Sequence, residues 1–145
     1  MVTVRDILAV KGNAVFCIAE DVSVLQAAEM MNQRQVGCLV VLAGEQVAGI
    51  FTERDVLRRV VAERLDPAHT PLAKVLTRQV ICCSPDTTVD EARSVFKNRH
   101  IRHLPVVDDE GRLIGLVSIG DLNAYDANAQ EVTIHYLHEY LYGRT

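Results

Sequence analysis

Two stretches of the sequence carry one pattern: Gly49–Leu57 reads GIFTERDVL, and Gly115–Asn123 reads GLVSIGDLN. In each, an apolar run leads into Thr or Ser, then two variable residues, then Asp. This order is typical of a buried strand that turns into a helix. A hydroxyl and a carboxylate at such a corner can cap the helix, and they can also bind the hydroxyl groups of a sugar. The pattern alone leaves both interpretations open.

The repetition extends over most of the chain. An offset of 65 aligns Val15 with Val80 and continues to residue 107, and one extra residue in the second loop shifts the offset to 66, which aligns Asp55 with Asp121. Each copy has the pattern strand, helix, strand, strand, helix. The sequence therefore predicts an α+β fold of two β-α-β-β-α repeats, which must pack on each other because each is near the lower size limit for a self-sufficient core.

The predicted domain boundaries follow the repeat. They are residues 1–65 for the first repeat with an N-terminal helix, 66–126 for the connector and second repeat, and 127–145 for a C-terminal helical extension. The Pro-rich stretch Asp66–Pro71 marks the connector.

The individual elements are predicted from periodicity and capping residues. In the first repeat we expect the strands Val15–Ile18, Cys38–Leu42 and Val47–Phe51 and the helices Val24–Arg34 and Thr52–Arg64. In the second we expect the strands Val80–Cys83, Leu104–Val107 and Leu113–Val117, the helix Val89–Arg99 and a helix from Ser118. In the helix from Thr52 we expect the inward-facing side chains to be Val56, Leu57, Val60 and Val61, and in the helix Val24–Arg34 the apolar residues at helical spacing are Leu25, Ala27, Ala28 and Met31.

Composition excludes several classes of protein. The chain has 145 residues, of which 49% are hydrophobic, and a net charge of −4. Proteins that follow nucleic-acid phosphates usually carry a basic face, so extended nucleic-acid binding is disfavoured. The sequence shows no apolar run of membrane-spanning length and no signal-peptide pattern at Met1–Asp6. We therefore expect a soluble, cytoplasmic protein that does not bind membranes.

The four cysteines are Cys17, Cys38, Cys82 and Cys83, and none forms a Cys-x-x-Cys pair. This spacing argues against a zinc ribbon. We expect small buried side chains in a reducing compartment and no disulfide. Cys17 and Cys82 occupy equivalent repeat positions, so a bond between them would need their Cα atoms within about 7 Å.

Basic residues precede one predicted strand. Arg102 and His103 come directly before the strand that begins at Leu104, and they can hold a phosphate or simply be solvated at a strand edge. The first repeat carries Gly37 in the position of Arg102, so the two halves differ in charge. Lys11, just before the first strand, is either a further phosphate contact or a surface lysine.

The C-terminal extension carries an apolar stripe formed by Ile134, Leu137 and Leu141. Such a stripe on a terminal helix packs on the protein's own core or forms a dimer contact. His135 and His138 lie three residues apart, but a third ligand is missing, so we expect no metal site. The sequence also shows no paired nucleophile and base, so we expect no enzyme.

The repeated corner, together with Ile101–Asp108 (IRHLPVVD), resembles the CBS domain (cystathionine β-synthase type) in its tandem pair, over about residues 3–125. The C-terminal extension resembles the tail of small bacterial stand-alone CBS-pair proteins. The resemblance implies two repeats related by a pseudo-two-fold axis, with two clefts between them. It also implies an adenine-nucleotide ligand, foremost AMP, ADP or ATP, with NAD(H) and S-adenosylmethionine as further ligand types, and no metal.

The resemblance assigns residues to each cleft by their position in the motif. One cleft would join Ile50, Thr52 and Asp55 to Ile81, Ile101, Arg102 and His103. The other would join Leu116, Ser118 and Asp121 to Lys11, Phe16, Val36 and Gly37. Arg54, inside the motif, could add to either cleft. Because Gly37 replaces Arg102, we expect the Asp55 cleft to take the more highly charged ligand.

The function that follows is a nucleotide-sensing regulatory module that forms a homodimer. No catalytic, channel or transporter domain accompanies the pair, so we expect it to act in trans on a separate protein partner. A ligand-free interaction or dimerisation module, in which the aspartates only cap helices, is the main alternative. Two further alternatives are an enzyme that uses Cys82 or His103, which lacks a legible base and nucleophile, and a nucleic-acid binder, which the charge opposes.

Overall fold

The computed structural model describes residues 1–78 and 80–128, and it confirms an α+β fold with two repeats. The first repeat contains β1 (Cys17–Ala19), α2 (Val24–Arg34), β2 (Cys38–Ala43), β3 (Gln46–Thr52) and α3 (Glu53–Asp55), which continues as a π-helix over Val56–Val61. The second contains α4 (Val89–Arg99), β4 (His103–Val107), β5 (Leu113–Ser118) and α5 (Ile119–Asn128). Helix α1 (Val4–Lys11) precedes them, and two short 3₁₀ turns, Pro67–His69 and Leu72–Lys74, lie in the connector.

The strands form one sheet in each repeat. In the first, β1 pairs parallel with β2, and β2 pairs antiparallel with β3. In the second, β4 and β5 form the equivalent antiparallel pair, in which His103 lies opposite Ser118. The strand–helix corners at Thr52 and Ser118 therefore end β3 and β5, at equivalent places in the two halves.

The strand predicted at Val80–Cys83 does not form, and a single parallel bridge between Cys83 and Val106 replaces it. In the first repeat the Val40 N–H donates to the Phe16 carbonyl at 3.2 Å, which extends the β1–β2 ladder. The equivalent of Val40 in the second repeat is Pro105, which has no N–H to donate. Only the bonds that flank Cys83 remain, at 2.9 Å each, so the ladder is shortened.

The two repeats exchange their N-terminal segments. The apolar face of α1 (Val4, Ile7 and Leu8) packs in the core of the second repeat. Connector residues Leu72, Val75 and Leu76 pack in the core of the first repeat instead. The domain boundaries predicted from the sequence place α1 with the first repeat, because they follow the order of the chain. The packing is reciprocal. Helix α1 precedes the first repeat but packs on the second, and the connector precedes the second repeat but packs on the first.

The helix that follows Thr52 differs from the expected α-helix. From Val56 to Val61 it is π-helical, and bonds such as Ala62 N–H to the Leu57 carbonyl, at 3.0 Å, span five residues. Val60 lies in the core, but Leu57 and Val61 are 61% and 60% exposed. The prediction that these two side chains face inward is therefore wrong, and Leu25 on α2 is likewise exposed.

Some sequence predictions fall on residues that the structure does not describe. The apolar stripe at Ile134, Leu137 and Leu141 and the histidines His135 and His138 lie outside the described residues. No helix within the described part of the chain is both long enough and apolar enough to cross a membrane.

Candidate functional site

The first corner is built as a capping box. Thr52 is the N-cap of α3, and its Oγ1 accepts from the Asp55 N–H at 3.2 Å while Asp55 Oδ2 accepts from the Thr52 N–H at 3.0 Å. The Asp55 side chain also accepts from the Thr77 hydroxyl, at 3.3 Å to Oδ1, and lies 3.5 Å from Arg59 Nε. Both carboxylate oxygens of Asp55 therefore have protein partners, and the residue is buried.

The second corner repeats the same local geometry. Ser118 Oγ accepts from the Asp121 N–H at 3.1 Å, and Asp121 Oδ2 accepts from the Ser118 N–H at 2.8 Å. Lys11 Nζ lies 2.5 Å from the same Oδ2 and 2.6 Å from the Leu116 carbonyl oxygen. The two corners thus share the cap but differ in the residue that binds the aspartate from outside.

That outside residue comes from the exchanged segment in both cases. Thr77 in the connector exchanges two backbone hydrogen bonds with Ile50, at 3.0 and 2.9 Å, and its hydroxyl donates to Asp55. Lys11, at the end of α1, takes the corresponding place against Leu116 and Asp121. The resemblance grouped Lys11 with Leu116 and Asp121, whereas neither Thr77 nor Arg59 was expected at the Asp55 corner. At Lys11 the repeat offset is still 65, which pairs it with Leu76, so the repeat held no signal for Thr77.

Arg102 and His103 border the second corner. The Arg102 carbonyl accepts from the Ile119 N–H at 3.1 Å, and His103 lies opposite Ser118 in the β4–β5 ladder. Burial lowers the pKa of His103, and the charges of Lys11 and Arg102 lower it further while Asp121 opposes them. The lowered pKa favours the neutral imidazole at neutral pH beside the Asp121 corner. The grouping of these two residues with Asp55 stays a prediction.

Gly37 lies at the first corner, where it contacts Glu53. Its carbonyl accepts from the Glu53 N–H at 3.1 Å, and a β-carbon at this position would stand 3.1 Å from the Glu53 carboxyl carbon. A cavity of about 410 Å³ lies beside them, with Val36 and Val56 among its walls. The grouping of Gly37 and Val36 with Asp121 stays a prediction.

The remaining expected site residues line the two cores. Phe16 packs against the first core, and Ile81 and Ile101 pack against the second. The Arg34 guanidinium lies 5.1 Å from the centre of the Phe16 ring, a cation–π contact that the sequence did not predict. Arg54 is exposed beside Asp55.

The cysteines differ in exposure. All four are free thiols; Cys38 is buried and Cys17 and Cys83 are partly buried, but Cys82 is exposed, contrary to expectation. Burial raises the pKa of Cys38 to about 12, with a smaller contribution from Asp55, and raises that of Cys83 to about 11. Within residues 1–78 and 80–128, no group of three or more His, Cys, Asp or Glu residues is arranged to hold a metal ion.

A protein-family model matches both repeats of the chain. The model of the CBS domain matches residues 4–62 and 72–128. The chain belongs to the CBS domain family. It is 34% identical over 151 residues to the CBS domain-containing protein CBSX3, mitochondrial, of Arabidopsis thaliana, covering 97% of this chain and 72% of that protein. The match spans only 65% of an uncharacterised 17.7 kDa protein of Acidianus ambivalens and 18% of CBSCBSPB1 of Arabidopsis thaliana.

Solved CBS structures have the same fold. A protein with CBS domains from Burkholderia ambifaria is 34% identical with a TM-score of 0.84, covering 89% of this chain and 96% of that one. A CBS domain protein from Pyrobaculum aerophilum, PAE2072, was solved in complex with AMP. It is 25% identical with a TM-score of 0.74, covering 83% of this chain and 89% of that one.

Proposed function

We propose that this CBS pair is a regulatory module that binds an adenosyl ligand and acts in trans on a separate protein partner. The observation that carries the proposal is the doubled corner, in which an aspartate sits in the first turn of a helix beside Ser or Thr and faces a segment from the other half. Carboxylate oxygens accept from vicinal hydroxyls, and a helix N-terminus favours anions. A ribose with an attached phosphate matches both properties, and PAE2072 binds AMP.

The ligands that we propose are AMP, ADP and ATP foremost, with NAD(H) and S-adenosylmethionine as further candidates. All contain an adenosine with a vicinal diol, which is the part that an aspartate corner can bind. These ligands differ in charge, and the charged residues at the two corners differ as well. Binding measured for a panel of these compounds will therefore show which ligand charge the protein prefers.

Regulation follows from where the corners lie. Asp55 is bound by Thr77, from the connector, and Asp121 is bound by Lys11, from α1. A ligand at either corner would contact the junction between a repeat and its exchanged segment. It would shift the protein's conformation or assembly only if it binds one state more tightly than the other.

A homodimer is the assembly that we propose. Leu57 and Val61 are exposed on one helix, four residues apart, and Val56 beside them is only partly buried. Exposed apolar side chains grouped on one helix are typical of protein–protein contacts. A second copy of the chain would present the same face, as a two-fold interface requires.

The experiment is isothermal titration calorimetry with AMP, ADP, ATP, NADH and S-adenosylmethionine, with GMP as the base-specificity control. We expect at least one adenosyl ligand to bind with a micromolar dissociation constant. The double substitution Asp55→Asn with Asp121→Asn should abolish binding. Thr88→Ala, which removes a cap of the same type at the start of α4, should not. If none of the adenosyl ligands binds, the ligand-free interaction module becomes the better description.

A further inference from the structure

The two corner aspartates differ in how far the protein satisfies them. Asp55 accepts through both oxygens, and its side chain is 10% exposed. Asp121 uses Oδ2 for both the Ser118 N–H and the Lys11 ammonium, and its side chain is 24% exposed. Among the hydrogen bonds of residues 1–78 and 80–128, none ends on Asp121 Oδ1. This oxygen can therefore accept from a ligand hydroxyl without displacing a donor that belongs to these residues.

Lys11 also keeps a donor for a ligand. An ammonium group has three N–H donors, and here one points to Asp121 Oδ2 and one to the Leu116 carbonyl. The lysine stem is flexible, so the group can move by several ångströms while it stays near the aspartate. A cavity of about 250 Å³ adjoins the Lys11–Asp121 pair, and Ile7, Val10 and Tyr125 are among its walls.

The local charge favours an anion at this corner. The charged groups that act on His103 are the cations Lys11 and Arg102 and the carboxylate of Asp121, and burial keeps His103 itself neutral. The sum is an excess of one positive charge. Lys11 also lowers the pKa of Cys38 on β2, although burial and Asp55 raise it by more, so the thiol adds no negative charge. At the first corner, Arg59 and Asp55 form a pair of opposite charges.

We propose that Lys11 makes the Asp121 corner selective for adenosyl ligands that carry a phosphate. Asp121 Oδ1 accepts from a ribose hydroxyl, and the remaining Lys11 donor binds the phosphate. A neutral nucleoside leaves that donor unused. This inference rests on the proposed function, and it reverses the order expected from sequence, since the Asp121 corner and not the Asp55 corner takes the more highly charged ligand.

The test compares AMP with adenosine, which differ only in the phosphate, by calorimetry on the wild type, Lys11→Met and Lys11→Arg. Lys11→Met keeps the length of the side chain and removes its charge, whereas Lys11→Arg keeps the charge. The exposed Lys97 on α4 provides a matched control as Lys97→Met. Circular dichroism confirms that each variant is folded before titration.

We expect the wild type to prefer AMP over adenosine by about 10- to 100-fold, the effect of one charge-assisted hydrogen bond. Lys11→Met should lose most of that preference through weaker AMP binding, while Lys11→Arg and Lys97→Met retain it. Asp121→Asn should weaken the binding of AMP and of adenosine to a similar extent. If Lys11→Met keeps the wild-type preference, the inference is wrong although the protein still binds nucleotides. If the wild type binds neither compound nor any other adenosyl ligand, the proposed function itself fails.

Discussion

The carbonyl oxygen of Thr77 lies inside the space that a β-carbon on Gly49 would need. The approach is this close because Ile50, the next residue, exchanges two backbone hydrogen bonds with Thr77. The equivalent glycine of the second repeat, Gly115, faces the side chain of Leu8, whose Cδ1 lies 2.9 Å from the position that a β-carbon would take. The glycine that opens each copy of the repeated stretch therefore lies against the exchanged segment, which leaves no room for a β-carbon at Gly49 and little room at Gly115.

We expect Gly49→Ala to destabilise the fold by at least about 1–3 kcal/mol, the usual cost of overpacking, because a backbone atom cannot move aside. Gly115→Ala should cost less, since the Leu8 side chain can change rotamer. Urea unfolding followed by circular dichroism measures both. The control is Gly120→Ala on α5, where the nearest atom is 3.6 Å away, and a small gain in stability is expected. Equal costs at Gly49 and Gly115 would contradict this explanation.

The stability of the protein should fall in mild acid because of His103. Burial places its folded-state pKa below the ordinary value of 6.5. Between those two pKa values the unfolded chain binds more protons than the folded one, so stability is full above pH 6.5 and is lost as the pH falls below it.

Unfolding free energies measured between about pH 5 and pH 8 test this, with His103→Gln expected to flatten the curve. The matched control is His100→Gln, because His100 is exposed and the equivalent residue of the first repeat is Gln35. A curve that is as steep in His103→Gln as in the wild type would show that other groups cause the acid sensitivity.

The proposed homodimer depends on the exposed face at Leu57 and Val61. Leu57→Glu combined with Val61→Glu should give a monomer without a large loss of stability, because both side chains are already in contact with solvent. Size-exclusion chromatography with light scattering measures the mass. Ala9→Glu, at an exposed position on α1, controls for the added charge. A wild-type protein that is monomeric at micromolar concentration would rule out this assembly.

The thiols should react in an order set by exposure. Cys82 is exposed, whereas Cys38 is buried and its pKa is raised to about 12, so almost no reactive thiolate forms near neutral pH. With a thiol reagent such as Ellman's, we expect Cys82 to react first and Cys38 to react only on unfolding. Cys82→Ser should remove the fast phase. A fast phase that persists in this variant would place the reactive thiol elsewhere.

Local signals in the sequence predicted most of the helices. The bounds of α2 and α4 agree with the predicted Val24–Arg34 and Val89–Arg99, because Ser23 and Thr88 form capping boxes next to an apolar period. The missing strand at Val80–Cys83 shows the limit of local signals. Its own residues favour a strand, but the residue that removes the hydrogen-bond donor is Pro105, more than twenty positions later.

The candidate site, like the fold, was predicted only in part from local signals in the sequence. The repeat identified Thr52, Asp55, Ser118 and Asp121, and the structure shows each pair as a cap. Their chemical difference depends on Thr77 and Lys11, which come from other parts of the chain, and on Arg59, which lies one turn after Asp55. The sequence distinguished the two sites only by Gly37 and Arg102, whereas the contacts distinguish a carboxylate with partners on both oxygens from one whose Oδ1 has no partner among the described residues.

By itself, the sequence determined the duplication, the caps and the alternation of strands and helices, because these depend on periods and spacings within a few residues. The tertiary structure decided that α1 and the connector exchange partners, and so which groups reach Asp55 and Asp121. Those contacts join Lys11 to Asp121 across 110 positions and Thr77 to Asp55 across 22. Contacts between residues so far apart in the sequence form because apolar faces are buried against each other, and this burial depends on the packing of the whole molecule.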